Sequence, residues 1–243
     1  MDLEYRKRIY AHYVNGRAQF LAPSTLAGLA PRMPSLRKLV REHFPADRDS
    51  EILDVGCGHG AIVYAAQQAG YINIRGVDGS PEQVAAARKL GISGVTQGDI
   101  LEALSGQADG SLDVVVAFDV IEHFTKDELL VVVDEVLRVL KPSGRWIIHT
   151  VNAGSPFYGI VRHGDFTHEL AFTPTSMAQL LLASRYVGVV SFEDTPVAHG
   201  IKSGVRSILW RATRAFLRLY ITIETGQKGD AIFTQNFLTV AVK

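Results

Sequence analysis

The sequence has a single cysteine among 243 residues and no excess of charge of either sign. One cysteine excludes a disulfide within the chain and favours a reducing compartment, so we expect a cytoplasmic protein. A formal net charge of zero argues against nucleic-acid binding through bulk positive charge. The first residues lack the apolar segment of a secretory signal, and no run of about 18 apolar residues predicts a membrane span.

Strand and helix patterns alternate from residue 51 onward, after a first segment that reads as helices and loops. Seven short apolar runs predict strands, and the segments between most of them have helical signals. This order predicts an α/β fold with a doubly wound, mostly parallel, seven-stranded sheet whose last strand enters antiparallel at an edge. The expected organisation is an N-terminal helical cap (1–50) and one main domain (51–243), with a helical insertion (197–230) before the last strand.

Three glycines, Gly56, Gly58 and Gly60, occupy alternate positions directly after the first predicted strand, in "DVGCGHG". Glycine has no side chain that could pack in the core at these positions. We therefore expect that a ligand approaches the backbone closely there. The spacing is tighter than the G-x-G-x-x-G of a nicotinamide-binding turn, which disfavours a dinucleotide-dependent oxidoreductase. Asp54 precedes the glycines and would repel a pyrophosphate, whereas it suits a cationic ligand group.

Two further carboxylates follow the next two predicted strands. Asp78 lies about 20 residues beyond the glycines, the position that grips a ribose diol. Asp99 can accept a hydrogen bond from an exocyclic amine. A ligand with a ribose, an adenine and a positive group satisfies all three carboxylates, and S-adenosylmethionine (SAM) is such a ligand.

The segments "ILDVGCGHG", "GVDGSPEQV", "QGDI", "LDVVVAFDVIEHF" and "LKPSGRWIIHTVN" resemble, in order and spacing, the motifs of class I SAM-dependent methyltransferases over about residues 48–195. The resemblance implies a Rossmann-like methyltransferase fold and SAM as cofactor. It also implies the cofactor-binding residues, from the methionine end to the adenine and back: Asp54, Gly56, Cys57, Gly58, Gly60, Asp78, Gly79, Asp99, Ile100, Phe118 and Asp119. Cys57 is expected as a small residue that fits the turn, not as a nucleophile.

Histidines and carboxylates gather in two segments expected above the ends of the fourth and fifth strands. One is "DVIEHF", with His123; the other runs from 158 to 177 and contains His163, Asp165 and His168. Histidine takes up a proton near pH 7, so these four residues are the catalytic candidates. The alternative is a lid whose polar groups satisfy one another. No short spacing such as H-x-x-x-H is present, so we predict no metal site.

The segment "GDFTHELAFTPTSMAQLL" resembles methyltransferases of bacterial polysaccharide and sugar-modifying pathways. This second resemblance implies a small-molecule acceptor, with methylation of a hydroxyl on a sugar or a lipid-linked intermediate. O-methylation of a quinone or lipid phenol, N-methylation, and a non-catalytic SAM-binding module stay open. The aromatic-proline tetrapeptide of amino-directed nucleic-acid methyltransferases is absent after the fourth strand, so we expect no nucleic-acid substrate.

Residues 201–223 form an amphipathic helical pattern with basic residues and no acidic one. Three interpretations are open: a helix that packs its apolar face on the domain, a helix that makes peripheral contact with an anionic membrane, or a cap over the acceptor pocket. In the N-terminal segment, Tyr5, Tyr10, Tyr13 and Arg17 are candidates to close over SAM. The oligomeric state is not determined by the sequence.

Overall fold

The computed structural model of the protein describes residues 4–14, 22–226 and 231–243. The predicted contact of Arg17 and the last residues of the predicted insertion, 227–230, lie outside the described residues.

Seven strands form one sheet in the order β3-β2-β1-β4-β5-β7-β6, and all pairs are parallel except those of β7. The predicted fold class is confirmed, and so is the antiparallel last strand. The prediction that this strand forms an edge is wrong: β7 lies between β5 and β6 and pairs antiparallel with both. The strands are β1 (Ile52–Val55), β2 (Ile74–Asp78), β3 (Val95–Gln97), β4 (Leu112–Phe118), β5 (Leu140–Val151), β6 (Val187–Glu193) and β7 (Asn236–Val242).

Helices cover both faces of the sheet. Alternate residues of the central strands point to opposite faces, so that Val114 and Val116 join one core cluster while Val115 and Ala117 join the other. The first cluster contains α2 (Met33–His43), α3 (Ala61–Gln68) and α4 (Pro81–Leu90), and the second contains α5 (Ile100–Ser105), α6 (Lys126–Val139) and α8 (Pro174–Ala183).

Local sequence signals determine where the helices begin at the carboxyl edge of the sheet. The hydroxyl of Ser80 accepts from the amide of Gln83 at 3.4 Å and caps α4. Thr125 and Glu128 form the predicted capping box of α6. Within residues 1–50, helix α1 (Glu4–Ala11) has no buried residue, whereas α2 contributes to the core. The N-terminal segment therefore contains both a covering helix and a core helix.

Two helices follow β5 and β6: α7 (Tyr158–Arg162) and the long α9 (Ile201–Thr225). No residue of α9 is buried, so the interpretation in which its apolar face packs on the domain is not what the structure shows. Among the described residues, no helix combines the length and apolarity that crossing a bilayer requires. The apolar face of α9 consists of side chains that are at least half exposed: Ile201, Val205, Ile208, Leu209, Phe216, Leu219, Tyr220 and Ile223.

Candidate functional site

A cavity of about 620 Å³ opens at the carboxyl ends of β1 and β4. The strand order reverses at this point, because β1 has β2 on one side and β4 on the other. Ligands of open α/β sheets bind at such a switch point. The volume is in the range of small-molecule pockets.

Asp54, at the end of β1, is the most unusual group in the cavity wall. Its side chain is 1% exposed, and neither carboxylate oxygen has a hydrogen-bond partner among the described residues. Burial, with a further contribution from the charge of Asp78, raises the pKa of Asp54 well above its ordinary value. A buried carboxylate without partners is costly, so the site fits a ligand that brings a positive charge or hydrogen-bond donors.

The glycine turn between β1 and α3 has left-handed backbone at Gly56, Gly58 and Gly60. A Cβ on Gly56 would lie 2.4 Å from a methyl of Val120, and one on Gly60 would lie 2.7 Å from a methyl of Val95. A Cβ on Gly58 would meet no protein atom closer than 3.7 Å. Gly56 and Gly58 line the cavity, whereas Gly60 lies outside its wall and is explained by packing alone.

Asp78 is held by two backbone amides at the end of β2. Gly58 donates to one of its oxygens at 2.7 Å and Ser80 to the other at 2.8 Å. Burial raises the pKa of Asp78, and these two hydrogen bonds oppose that effect. The carboxylate keeps lone pairs for a ligand diol, and Gly79 lies beside it in the same wall.

The far wall of the cavity includes Asp99 and Ile100, as predicted for the adenine end. One oxygen of Asp99 accepts from the amides of Leu101 and Glu102 and caps α5. The carboxylate is thereby fixed in orientation and exposed to the cavity, so it can still accept from a ligand amine.

Phe118 and Asp119 end β4 in the cavity wall and contact His149 on β5. Nδ1 of His149 lies 2.6 Å from Oδ1 of Asp119, and Nε2 lies 3.5 Å from Asp194. Burial alone would lower the pKa of His149, but the charge and hydrogen bond of Asp119 raise it to about 10. His149 is therefore an imidazolium at neutral pH rather than a proton acceptor.

His123 and Asp165, two of the four catalytic candidates, belong to one hydrogen-bond network. Thr167 donates to Asp165 at 2.6 Å, and Nδ1 of His123 lies 2.8 Å from the same hydroxyl. Burial and the charge of His168 lower the pKa of His123 to about 4, so His123 is neutral at pH 7. His123 lines the cavity, whereas Asp165 and His168 are not part of the cavity wall.

The third histidine of the predicted acceptor segment, His163, is placed elsewhere. It follows the end of α7, is exposed, and does not belong to the cavity wall. The structure thus brings together three of the four candidates. Sequence reasoning missed His149, although a lone histidine in the apolar run "WIIHTV" is the signal that could have identified it.

Helix α1 covers one side of the cavity with Arg6, Tyr10 and, just beyond its end, Tyr13. Arg6 donates to Glu128 at 2.8 Å, and the hydroxyl of Tyr13 donates to Asp165 at 2.8 Å. Tyr5 donates to Glu169 outside the cavity wall. Two of the predicted tyrosines therefore cover the cavity, and Tyr5 helps to anchor the helix.

Comparisons with known proteins agree with this geometry. Residues 53–148 match the family model described as "Methyltransferase domain". The chain is 26% identical over 144 residues to the ubiquinone biosynthesis O-methyltransferase of Cupriavidus pinatubonensis and 32% identical over 142 residues to the ajmaline N-methyltransferase of Rauvolfia serpentina. Each match covers 53% of this chain, with 57% of the first relative and 48% of the second. The chain thus spans about half the length of these curated relatives.

Solved structures share the fold. A SAM-dependent methyltransferase from Archaeoglobus fulgidus aligns with a TM-score of 0.65 at 20% identity, over 90% of this chain and 98% of its own. Geranyl diphosphate C-methyltransferase from Streptomyces coelicolor aligns with a TM-score of 0.66 at 18% identity, over 100% of this chain and 99% of its own. Residues 53–148 thus match a methyltransferase domain, and the chain has the Rossmann-like fold of the SAM-dependent methyltransferases named above.

Proposed function

We propose that the whole chain transfers a methyl group from SAM to a hydroxyl of a small-molecule acceptor, a sugar or a lipid-linked intermediate. The observation that carries the proposal is Asp54, a buried carboxylate with no hydrogen-bond partner in the part of the chain that the structure describes. It lies beside a glycine turn whose backbone is accessible to a ligand. The ammonium and sulfonium of SAM would bring the positive charge and hydrogen-bond donors that suit Asp54.

The proposed residue roles follow from the cavity wall. The turn from Gly56 to Gly58 lies against the methionine end, near Asp54. Asp78, oriented by two amides, holds the ribose diol. Asp99 and Ile100 frame the adenine. When bound, SAM supplies an activated methyl; the chain's own part is to orient it and to exclude water under α1.

The acceptor side is proposed at the end of the cavity next to Phe118, Asp119 and His123. The curated relatives named above include one O- and one N-methyltransferase, which supports a small-molecule acceptor in general. The choice of oxygen over nitrogen is supported by the resemblance of residues 164–181 to sugar-modifying enzymes. A quinone or lipid phenol is the second candidate, because it offers the same nucleophilic hydroxyl.

The decisive experiment is calorimetric titration of the protein with SAM and with S-adenosylhomocysteine. Binding should be lost in Asp78→Ala and kept in Asp127→Ala, an exposed carboxylate outside the cavity. Transfer of a labelled methyl group into separate pools of sugars, glycolipids, phenols and amines then identifies the acceptor. Tight SAM binding with no transfer to any pool would support the non-catalytic SAM-binding module instead.

The apolar face of α9 gives a reason to place the acceptor in a lipid. Eight large apolar side chains of this face are exposed along 25 helical residues. Lys202, Arg206 and Arg211 are exposed on the same helix, and no acidic residue occurs between 201 and 223. Apolar insertion flanked by cations is the chemistry of helices that lie on anionic bilayers. We propose peripheral docking of α9 on such a surface.

Vesicle sedimentation tests this docking. The protein should bind vesicles rich in phosphatidylglycerol and not vesicles of phosphatidylcholine alone, and salt should weaken the binding. The double variant Ile208→Ser/Phe216→Ser should remove it. Leu130→Ser/Val131→Ser, which changes two half-exposed apolar residues of α6, is the matched control. Concentration-dependent dimerisation without vesicle binding would instead assign the face to a second copy of the chain.

A further inference from the structure

Glu122, His123 and His168 bring three ligand-type side chains together beside the cavity. Their candidate ligand atoms all lie within 4.8 Å of one another. Backbone hydrogen bonds hold together the two segments that carry these side chains. The amides of Glu169 and Leu170 donate to the carbonyl of Glu122 at 2.8 and 2.9 Å. The cluster is thus part of the folded framework and not an accident of long surface side chains.

Both imidazole rings have an oriented Nδ1. In His168 it lies 3.2 Å from the carbonyl of Arg162, which can only accept, so this nitrogen carries the proton. In His123 it lies 2.8 Å from the hydroxyl of Thr167, whose own hydrogen goes to Asp165. With the proton on Nδ1, the lone pair of each ring in its neutral form is on Nε2. Metal-binding histidines are oriented in the same way, by a carbonyl or carboxylate on the other ring nitrogen.

Glu122 supplies the carboxyl oxygen of the cluster. Its side chain is 1% exposed and accepts from Thr150 at 2.9 Å. Within the described residues, no lysine or arginine forms an ion pair with it. The neighbouring Arg6 is paired with Glu128. Buried carboxylates are usually paired with a cation or coordinate a metal.

We propose that Glu122, His123 and His168 bind a divalent transition-metal ion of the zinc type. Two imidazole nitrogens and one carboxylate oxygen are a known donor set of such sites, and they leave a coordination position open. Small side-chain rotations would bring the three atoms to about 2 Å from a common ion. This proposal revises the sequence-based prediction of no metal site. The two histidines lie 45 positions apart in the sequence, so no short motif reveals the set.

The ion would be reached from the cavity, because His123 lines its wall. Resting on the proposed function, we assign its open position to the acceptor oxygen. The bound hydroxyl loses its proton to solvent more readily than a free one. The oxygen then forms the bond to the methyl carbon, the carbon–sulfur bond breaks, and neutral S-adenosylhomocysteine leaves.

The test uses the full chain, stripped of metal by a chelator and free of SAM and acceptor. Calorimetry with Zn²⁺ and visible absorption with Co²⁺ should both show one ion per chain. His123→Ala and His168→Ala should weaken binding at least about tenfold, and Thr167→Val, which keeps all three ligands, about 10- to 100-fold. His199→Ala changes an exposed histidine outside the cluster, whose Nδ1 lies 2.9 Å from the carbonyl of Val197, and it should bind like wild type.

The proposal is overturned if wild type binds no stoichiometric ion, or if His168→Ala and Thr167→Val both bind it unchanged. Circular dichroism checks that each variant folds. If the variants at more buried positions do not fold, His168→Ala still tests the proposal, because His168 is half-exposed. Because the titration contains no SAM, its failure leaves the proposed methyl transfer untouched. Failure of SAM binding would equally leave the metal site standing.

Discussion

His149 and Asp119 form an ion pair that joins the ends of two neighbouring strands at the cavity. Their nearest atoms are 2.6 Å apart, and the His149 ring stacks on Phe118 with 3.9 Å between centroids. Asp119 has a φ of 57°, a left-handed conformation that costs about 1–2 kcal/mol for a residue with a Cβ. The ion pair and the stacking hold this strained residue where the cavity needs it.

The ion pair predicts a stability that falls at alkaline pH. The pKa of His149 is about 10 in the folded protein and near 6.5 when unpaired. Its stabilisation is therefore complete below about pH 6.5 and is lost as the pH rises towards 10. Urea unfolding at several pH values should show the free energy of unfolding decreasing over this window.

His149→Gln is the comparison for that experiment, because it removes the titrating ring and keeps a polar side chain. Its unfolding free energy should vary much less between pH 6.5 and 10. At acidic pH the contribution of Asp119 has the opposite pH dependence. Burial would raise the pKa of Asp119, but the charge of His149 lowers it overall. Its contribution is present above its ordinary pKa and is lost as the pH falls. Equal alkaline slopes in wild type and variant would contradict the assignment.

A pair of glycine substitutions separates backbone strain from steric overlap. Gly56→Ala must accept a φ of 68° and a Cβ 2.4 Å from Val120, whereas Gly70→Ala accepts a φ of 94° with no atom within 4 Å. We expect Gly56→Ala to lower the free energy of unfolding by about 3 kcal/mol. Gly70→Ala should cost only about 1 kcal/mol. Denaturant melts measure both, and similar losses would show that Val120 moves aside without cost.

Closure of α1 over the cavity should depend on Arg6. Its charge-assisted hydrogen bond to Glu128 contributes about 1.5 kcal/mol. If α1 must dock for SAM to stay bound, loss of this bond corresponds to about a tenfold loss of SAM affinity. Arg6→Gln should therefore weaken SAM binding about tenfold in calorimetry. Arg8→Gln on the same helix changes an exposed side chain that pairs with Glu4 and does not line the cavity, so this variant should bind SAM like wild type. Unchanged affinity in Arg6→Gln would mean that α1 does not close the site.

The thiol of Cys57 should react slowly with thiol reagents in the native protein. Burial, together with the charges of Asp54 and Asp78, raises the pKa of its thiol far above the ordinary value. The thiolate is the reactive form, so native protein should react with a disulfide reagent at pH 8 at least about tenfold more slowly than protein unfolded in urea. Cys57→Ala should keep SAM binding. Equal native and unfolded rates would contradict a buried, passive role.

The sequence predicted the carboxyl edge of the sheet well because its signals there are local. The glycine turn after β1 and the capping residues Ser80 and Thr125 act within a few residues of their own positions. The edge position of the last strand was wrong, because strand order depends on contacts between segments that are far apart in the chain. No pattern inside "NFLTVAVK" distinguishes an edge from a place between two strands.

The contacts that the sequence did not predict all join distant segments. Asp119 meets His149 only because β4 and β5 are neighbours, and His123 meets His168 only because the chain returns over the edge of the sheet. The amphipathic pattern of α9 was evident, but the direction of its apolar face was not. That direction depends on contacts between α9 and segments that are distant in the sequence.

The place of α9 in the topology has a consequence for how such a chain can change. Glu193 of β6 pairs with Phe237 of β7, so the 42 residues from 194 to 235 begin and end about one strand spacing apart. The two strands are antiparallel neighbours and could be joined by a tight turn. The segment that carries α9 is thus an insertion between two paired strands, and its removal would leave the ends of β6 and β7 close enough for a short turn to join them.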